Sequence, residues 1–227
     1  MTPVTDLGTL AIITIISCIL VFLPYVQRVS SWFITIIHEA GHGVLSLVTG
    51  GGIHSIVLRA DGSGEAQTLS SASLFSWFRR VIVLFAGYSS PIILGIGLLL
   101  AVKTNNAQIG LYVLTGVGVL TLLFIRNFFG VLILAMFFSA LWGTVATKDG
   151  YVLGWVVTLF ACVYIVGGVR DLVRAGVMVF LSLPAETDFH FLQQSTYMFI
   201  PAQVWYVMYI ILFIPVAFIC SMFVISA

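Results

Sequence analysis

His38-Glu39-Ala40-Gly41-His42 places two imidazoles and a carboxylate within five residues, a pattern that could hold a metal ion and activate water against a peptide bond. On a helix, residues four apart differ by about 40° around the axis and about 6 Å along it, so both histidines can reach one zinc ion. Glu39 then lies beside that ion. A glutamate there can take a proton from water that the metal has acidified to a pKa of about 7 and pass it to a leaving amine. The setting is unusual, because the motif sits in the otherwise apolar run 32–48. Each ionisable group at mid-bilayer costs about 3 kcal/mol on insertion scales, so these three need a compensating partner. The alternative, a polar helix-packing patch, leaves that cost uncompensated.

A catalytic zinc takes three protein ligands and keeps one position open, so a further donor must come from elsewhere. Asp6 precedes the first apolar run, Asp61 and Glu65 fit a solvated hairpin, and turn chemistry accounts for Asp149 before Gly150. Asp171 follows Gly167-Gly168-Val169-Arg170, where paired glycines allow another helix to approach closely. It is the preferred third ligand, against a reading as an interfacial partner of Arg170 or Arg174. Asp188 and His190, presented together by Asp-Phe-His, are the rival pair.

The elements that must position these groups are membrane helices. The chain of 227 residues is 61% hydrophobic and 7% charged, where a soluble domain carries about 25% charged residues. Apolar windows at about 7–27, 32–48, 80–102, 108–125, 128–147, 151–170 and 201–225 predict an all-α polytopic membrane protein of six to seven transmembrane helices, the lower number if Arg126-Asn127 marks a broken helix. One membrane-embedded domain over 1–227 is expected, with the motif helix at about 32–48 and the third-ligand helix at about 151–171. Alternation after Gly50-Gly51-Gly52, with Asp61-Gly62 as the turn, predicts a β-hairpin over about 53–67. The interval 171–200 reads as a partly helical segment lying at the interface.

With seven spans, six of the nine basic residues fall on the side of the N-terminus, which predicts that it is cytoplasmic. The start of the chain lacks a basic n-region, so its apolar run is expected to stay as a membrane helix. Net charge is +1 and the largest basic cluster is Arg79-Arg80, which excludes a nucleic-acid footprint. Cys18, Cys162 and Cys220 are isolated in apolar runs and receive no function. Oligomeric state stays open: Gly95-x-Gly97 and Gly116-x-Gly118 allow close packing within or between subunits.

Taken in order, 38–51, 59–64, 86–91 (Ala-Gly-Tyr-Ser-Ser-Pro), 126–130 (Arg-Asn-Phe-Phe-Gly), 167–171 and 187–192 (Thr-Asp-Phe-His-Phe-Leu) resemble the site-2-protease-like intramembrane zinc metallopeptidases, in their compact bacterial branch without a PDZ domain. The resemblance covers about 31–205. It implies a zinc-dependent endopeptidase in a bacterial cell membrane, acting on membrane protein or peptide substrates, with His38, His42 and a later aspartate as ligands and Glu39 as general base. The family's Asn-x-x-Pro-x-x-x-x-Asp-Gly segment is missing from this chain, so Asp171 stands in for its aspartate by position and order. Asn127 is a candidate donor to substrate or oxyanion, or a helix cap, and the hairpin edge could pair with an unwound substrate. A zinc carrier or regulatory scaffold without proteolysis is the competing function, and Glu39 argues against it, because transport needs ligands whereas hydrolysis needs an unligated base.

Overall fold

The computed structural model of the chain describes residues 6–69, 76–183, 187–196 and 198–226. Among them the chain forms α1 (Leu7–Phe22), α2 (Val26–Val48), β1 (Gly52–Leu58), β2 (Gly64–Leu69), α3 (Ser76–Lys103), α4 (Ala107–Phe124), α5 (Phe128–Ala146), α6 (Gly150–Phe180), α7 (Asp188–Ser195) and α8 (Ala202–Ser226). Five helices are long and apolar enough to cross a membrane (α3, α4, α5, α6 and α8), and α1 with α2 supplies a sixth candidate as a pair bent by 99°. The all-α polytopic expectation holds at its lower count. The two separate spans expected at 7–27 and 32–48 are instead the arms of an elbow. Pro24 explains it: the residue before a proline is pushed out of the helical region, and Leu23 is extended at φ −72°, ψ 124°. Tyr25 follows at φ 72°, and α2 starts in a new direction.

Small residues let the bundle close. A Cβ on Gly95 of α3 would sit 2.6 Å from the Ala161 carbonyl of α6, and one on Gly168 would sit 2.7 Å from Ile92. Gly167 is pressed against Ile34 of α2, so the glycine pair serves the close approach expected of it. Asp6 and Asp149 cap α1 and α6, accepting from the N–H groups of Thr9 (2.9 Å) and Tyr151 (2.8 Å). One core joins Ile34, Ile56, Leu114, Phe137, Val157 and Tyr164; a second joins α3, α6, α7 and α8 through Ile92, Leu172, Phe189, Leu192, Trp205 and Tyr209. Outward-facing Leu123, Phe128 and Ile211 are exposed, as lipid-facing side chains are.

The hairpin follows α2 directly. β1 pairs antiparallel with β2 from Gly52↔Leu69 to Leu58↔Gly64, with an irregularity between Ile53 and Ser55. The loop closing it is 59–63, wider than the two-residue turn expected. The Arg59 N–H donates to the Ser63 carbonyl (2.8 Å), Asp61 accepts from the Ser63 N–H (2.9 Å), and Gly62 supplies φ +94°. On its other side β1 bridges Ile125, and the Arg126 N–H donates to the Ile56 carbonyl (3.0 Å). β1 is therefore the inner strand. Among the described residues no strand pairs with the far edge of β2.

Candidate metal centre

Geometry of the donor atoms

The i, i+4 spacing on α2 does what the sequence implies: the two imidazoles meet edge to face, and their Nε2 atoms lie 3.2 Å apart. Asp188 supplies the third atom. Its Oδ2 lies 3.3 Å from His38 Nε2 and 3.4 Å from His42 Nε2. Four donors at 2.0–2.1 Å from a tetrahedral metal are about 3.3–3.4 Å from one another, so these three edges match one face of such a site. The charges agree with the distances. His42 Nδ1 lies 2.7 Å from the Val83 carbonyl, an acceptor, so the neutral ring donates there and turns the Nε2 lone pair inward. Asp188 Oδ2 is buried without a hydrogen-bond partner. Lone pairs converging in this way repel one another unless a cation lies between them, and the donor set can hold a metal ion.

Each donor is held by its element. Asp188 is the first residue of α7, where Thr187 and His190 form a capping box: the Thr187 N–H donates to His190 Nδ1 (3.2 Å), whose hydroxyl partner is Thr187 Oγ1 (3.0 Å). Fully buried Phe189 and Leu192 anchor α7 in the second core. α3 closes the opposite side, where a Cβ on Gly87 would lie 2.5 Å from His42 Cε1 and 2.6 Å from His38 Nε2. Only a hydrogen fits there. Pro91, which has no N–H, leaves the Gly87 carbonyl without its intrahelical partner in the same turn.

Glu39 stands outside the donor triangle. It is 5% exposed and packs against β2. A Cβ on Gly64 would come within 3.0 Å of Glu39 Cγ and Oε1, so this strand lies flush against the carboxylate. A cavity of about 200 Å³ over the site is lined by His38, Glu39, His42, Gly64, Ala66, Thr68, Tyr88 and Asp188, among others. The free edge of β2 forms one of its walls.

Sequence candidates against the structure

His38, Glu39 and His42 come together as expected. Asp171 does not join them: its carboxylate is taken by Arg170, 2.9 Å from Nε and 2.7 Å from the NH2 nitrogen. Arg170 also donates to the Val21 carbonyl (2.9 Å) and to Ser31 Oγ (3.1 Å), tying α6 to both arms of the elbow. Asp188, the rival of the preferred Asp171, is the carboxylate that stands beside the two imidazoles, because α6 runs on past Asp171 to Phe180 and the chain returns through α7. His190, the other half of the rival pair, is occupied by the cap. Asn127 stands at the N-cap of α5 with no side-chain bond to the helix, and it is not among the residues lining the 200 Å³ cavity. Its Nδ2 donates to the Leu58 carbonyl (2.6 Å) and its Oδ1 accepts from the Leu58 N–H (3.3 Å), clamping β1. Residues 70–75 after the hairpin and 184–186 within the interval 171–200 lie outside the described residues. Gly87, which the sequence reading did not place at the site, is signalled by a small residue in Ala86-Gly87-Tyr88 within an apolar helix.

No curated protein and no solved structure matches the chain. A model of the Peptidase M50B-like family matches residues 9–222, almost the whole sequence, and the chain belongs to that family, a metallopeptidase of the membrane.

Proposed function

We propose that the protein is a zinc-dependent endopeptidase that hydrolyses peptide bonds within or near transmembrane segments of membrane protein substrates. The observation that carries this reading is the triangle of Nε2, Nε2 and Oδ2 atoms, 3.2–3.4 Å on a side, with an unligated Glu39 beside it. His38, His42 and Asp188 would hold zinc, which when bound lowers the pKa of water and polarises a carbonyl. Glu39 accepts the proton of the attacking water and delivers it to the departing nitrogen. Burial of Glu39 against β2 excludes competing bulk solvent from that transfer.

The β2 edge supports the same reading for substrate. A helical peptide bond is shielded and hydrogen-bonded, so a transmembrane segment must unwind before it can be cut. An unwound segment can add to β2 as a further strand, main chain to main chain, beside the Glu39 carboxylate. Zinc analysis and cleavage of a synthetic transmembrane peptide test the function together. Glu39→Gln is expected to keep stoichiometric zinc while its turnover falls about 10²–10⁴-fold; undiminished cleavage by that variant would remove the proposal.

The proposal includes a topology. α1 runs parallel to α6, with Thr14 Oγ1 3.9 Å from Cys162 Sγ and the Val21 carbonyl bonded to Arg170. α2 turns by 99° and passes Gly167 at Ile34. This arrangement supports a single crossing by the elbow, with the N-terminus on the face opposite the hairpin. Seven of the nine basic residues (Arg28, Arg59, Arg79, Arg80, Arg126, Arg170 and Arg174) then share the hairpin face, which becomes the cytoplasmic one. The N-terminus moves to the other side, against the orientation expected from seven spans.

A further inference from the structure

The cavity over the metal donors meets a larger one of about 880 Å³, and five residues line both: His38, Glu39, Gly64, Tyr88 and Thr187. A reacting carbonyl at that junction is within reach of few donors. His38 is committed to the metal donor set and Glu39 to proton transfer, and Gly64 has no side chain. The Thr187 N–H and hydroxyl both lie on His190 Nδ1. Asn127 is spent on Leu58. Tyr88 is the remaining side chain with a hydroxyl.

Its ring is fixed on two sides by the elements that build the site. It stacks on Phe189, the neighbour of Asp188, with centroids 5.2 Å apart and planes 1° apart. It meets His38 edge-on at 4.9 Å and 83°. Tyr88 itself follows Gly87, whose missing side chain lets α3 touch both imidazoles. A phenol held this way is a preorganised donor, which acts with little reorganisation when charge develops beside it.

We infer that Tyr88 is a catalytic residue whose O–H donates a hydrogen bond to the carbonyl oxygen of the scissile peptide as that oxygen gains negative charge. This rests on the peptidase reading proposed above. The water oxygen bonds to the carbonyl carbon, its proton goes to Glu39, and the π pair of the C=O bond moves onto the oxygen facing Tyr88. When the C–N bond breaks, that pair re-forms the C=O bond, the nitrogen takes the proton from Glu39, and the new acid ionises to a carboxylate. Tyr88 keeps its proton throughout.

The test uses the full chain in lipid nanodiscs and a transmembrane peptide carrying a donor–quencher pair. Cleavage by the wild type and its loss in Glu39→Gln test the peptidase reading separately. With that reading standing, Tyr88→Phe keeps both ring contacts and is expected to lose about a hundredfold in kcat, with KM within about threefold and zinc per chain unchanged. Replacement of Tyr88 by 4-aminophenylalanine, which restores a donor on the same ring, is expected to recover about tenfold of that loss. An unchanged kcat in Tyr88→Phe, an effect confined to KM, a loss of zinc, or equal losses in the two variants would each overturn the assignment.

Discussion

At the scale of single residues, the site separates two acids that look alike in the sequence. Asp171 and Asp188 both come after an apolar run of sequence and both have a basic or histidine neighbour, yet one holds an arginine and the other faces two imidazoles. The consequence is measurable. Asp188→Asn is expected to lose stoichiometric zinc by metal analysis, because the variant has an amide where the donor set needs an anion. Asp171→Asn is expected to retain zinc and to lower stability by about 1 kcal/mol or less, the usual worth of a partly exposed ion pair. Zinc retained in Asp188→Asn and lost in Asp171→Asn would reverse the assignment. His38, Glu39 and His42 were legible because one helical turn relates them, and local spacing is what a sequence states directly. Asp188 was less so, because its place depends on how α7 docks through Phe189 and Leu192. A local sign did exist in Thr187-Asp-Phe-His190, but histidine at the third helical position hides a capping box usually marked by Glu or Gln.

At the scale of elements, β2 is the piece whose main chain does the work. The Ser63 carbonyl accepts from Arg59 and so faces β1, and with the period of two along a strand the N–H groups of Ala66 and Thr68 point the other way, to the unpaired edge. Thr68→Pro removes one of these donors and leaves the ladder with β1, since an edge strand tolerates proline where its N–H faces outward. The expected outcome is a raised KM for transmembrane peptide with unchanged zinc; an unaltered KM would exclude strand addition at this position. The hairpin was readable from Ile56 and Leu58 alternating around Asp61-Gly62, although the loop is wider than the turn pair suggested. Its clamp by Asn127 was not, because a side chain bonding to a strand 69 residues earlier leaves no periodic trace. The elbow between α1 and α2 was visible as Pro24, but continuous hydrophobicity on both sides made the two arms read as separate spans.

At the scale of the whole molecule, the elbow decides which face the N-terminus shares. Single cysteines introduced at Ser63, Lys103 and Lys148 in a chain lacking Cys18, Cys162 and Cys220 would report this by impermeant labelling, alongside an N-terminal tag. The expected pattern is Ser63 from the cytoplasmic face and the other three positions from the opposite face; an N-terminal tag on the same side as Ser63 would overturn the topology. Chain order also sets a schedule. About 150 residues separate His38 from Asp188, roughly 8–30 s of synthesis at 5–20 residues per second. Through that interval the emerging chain carries the base and two imidazoles but not the carboxylate that completes them. On the proposed activity, the nascent enzyme therefore stays unarmed while its own helices, and those of other proteins entering beside it, are being inserted.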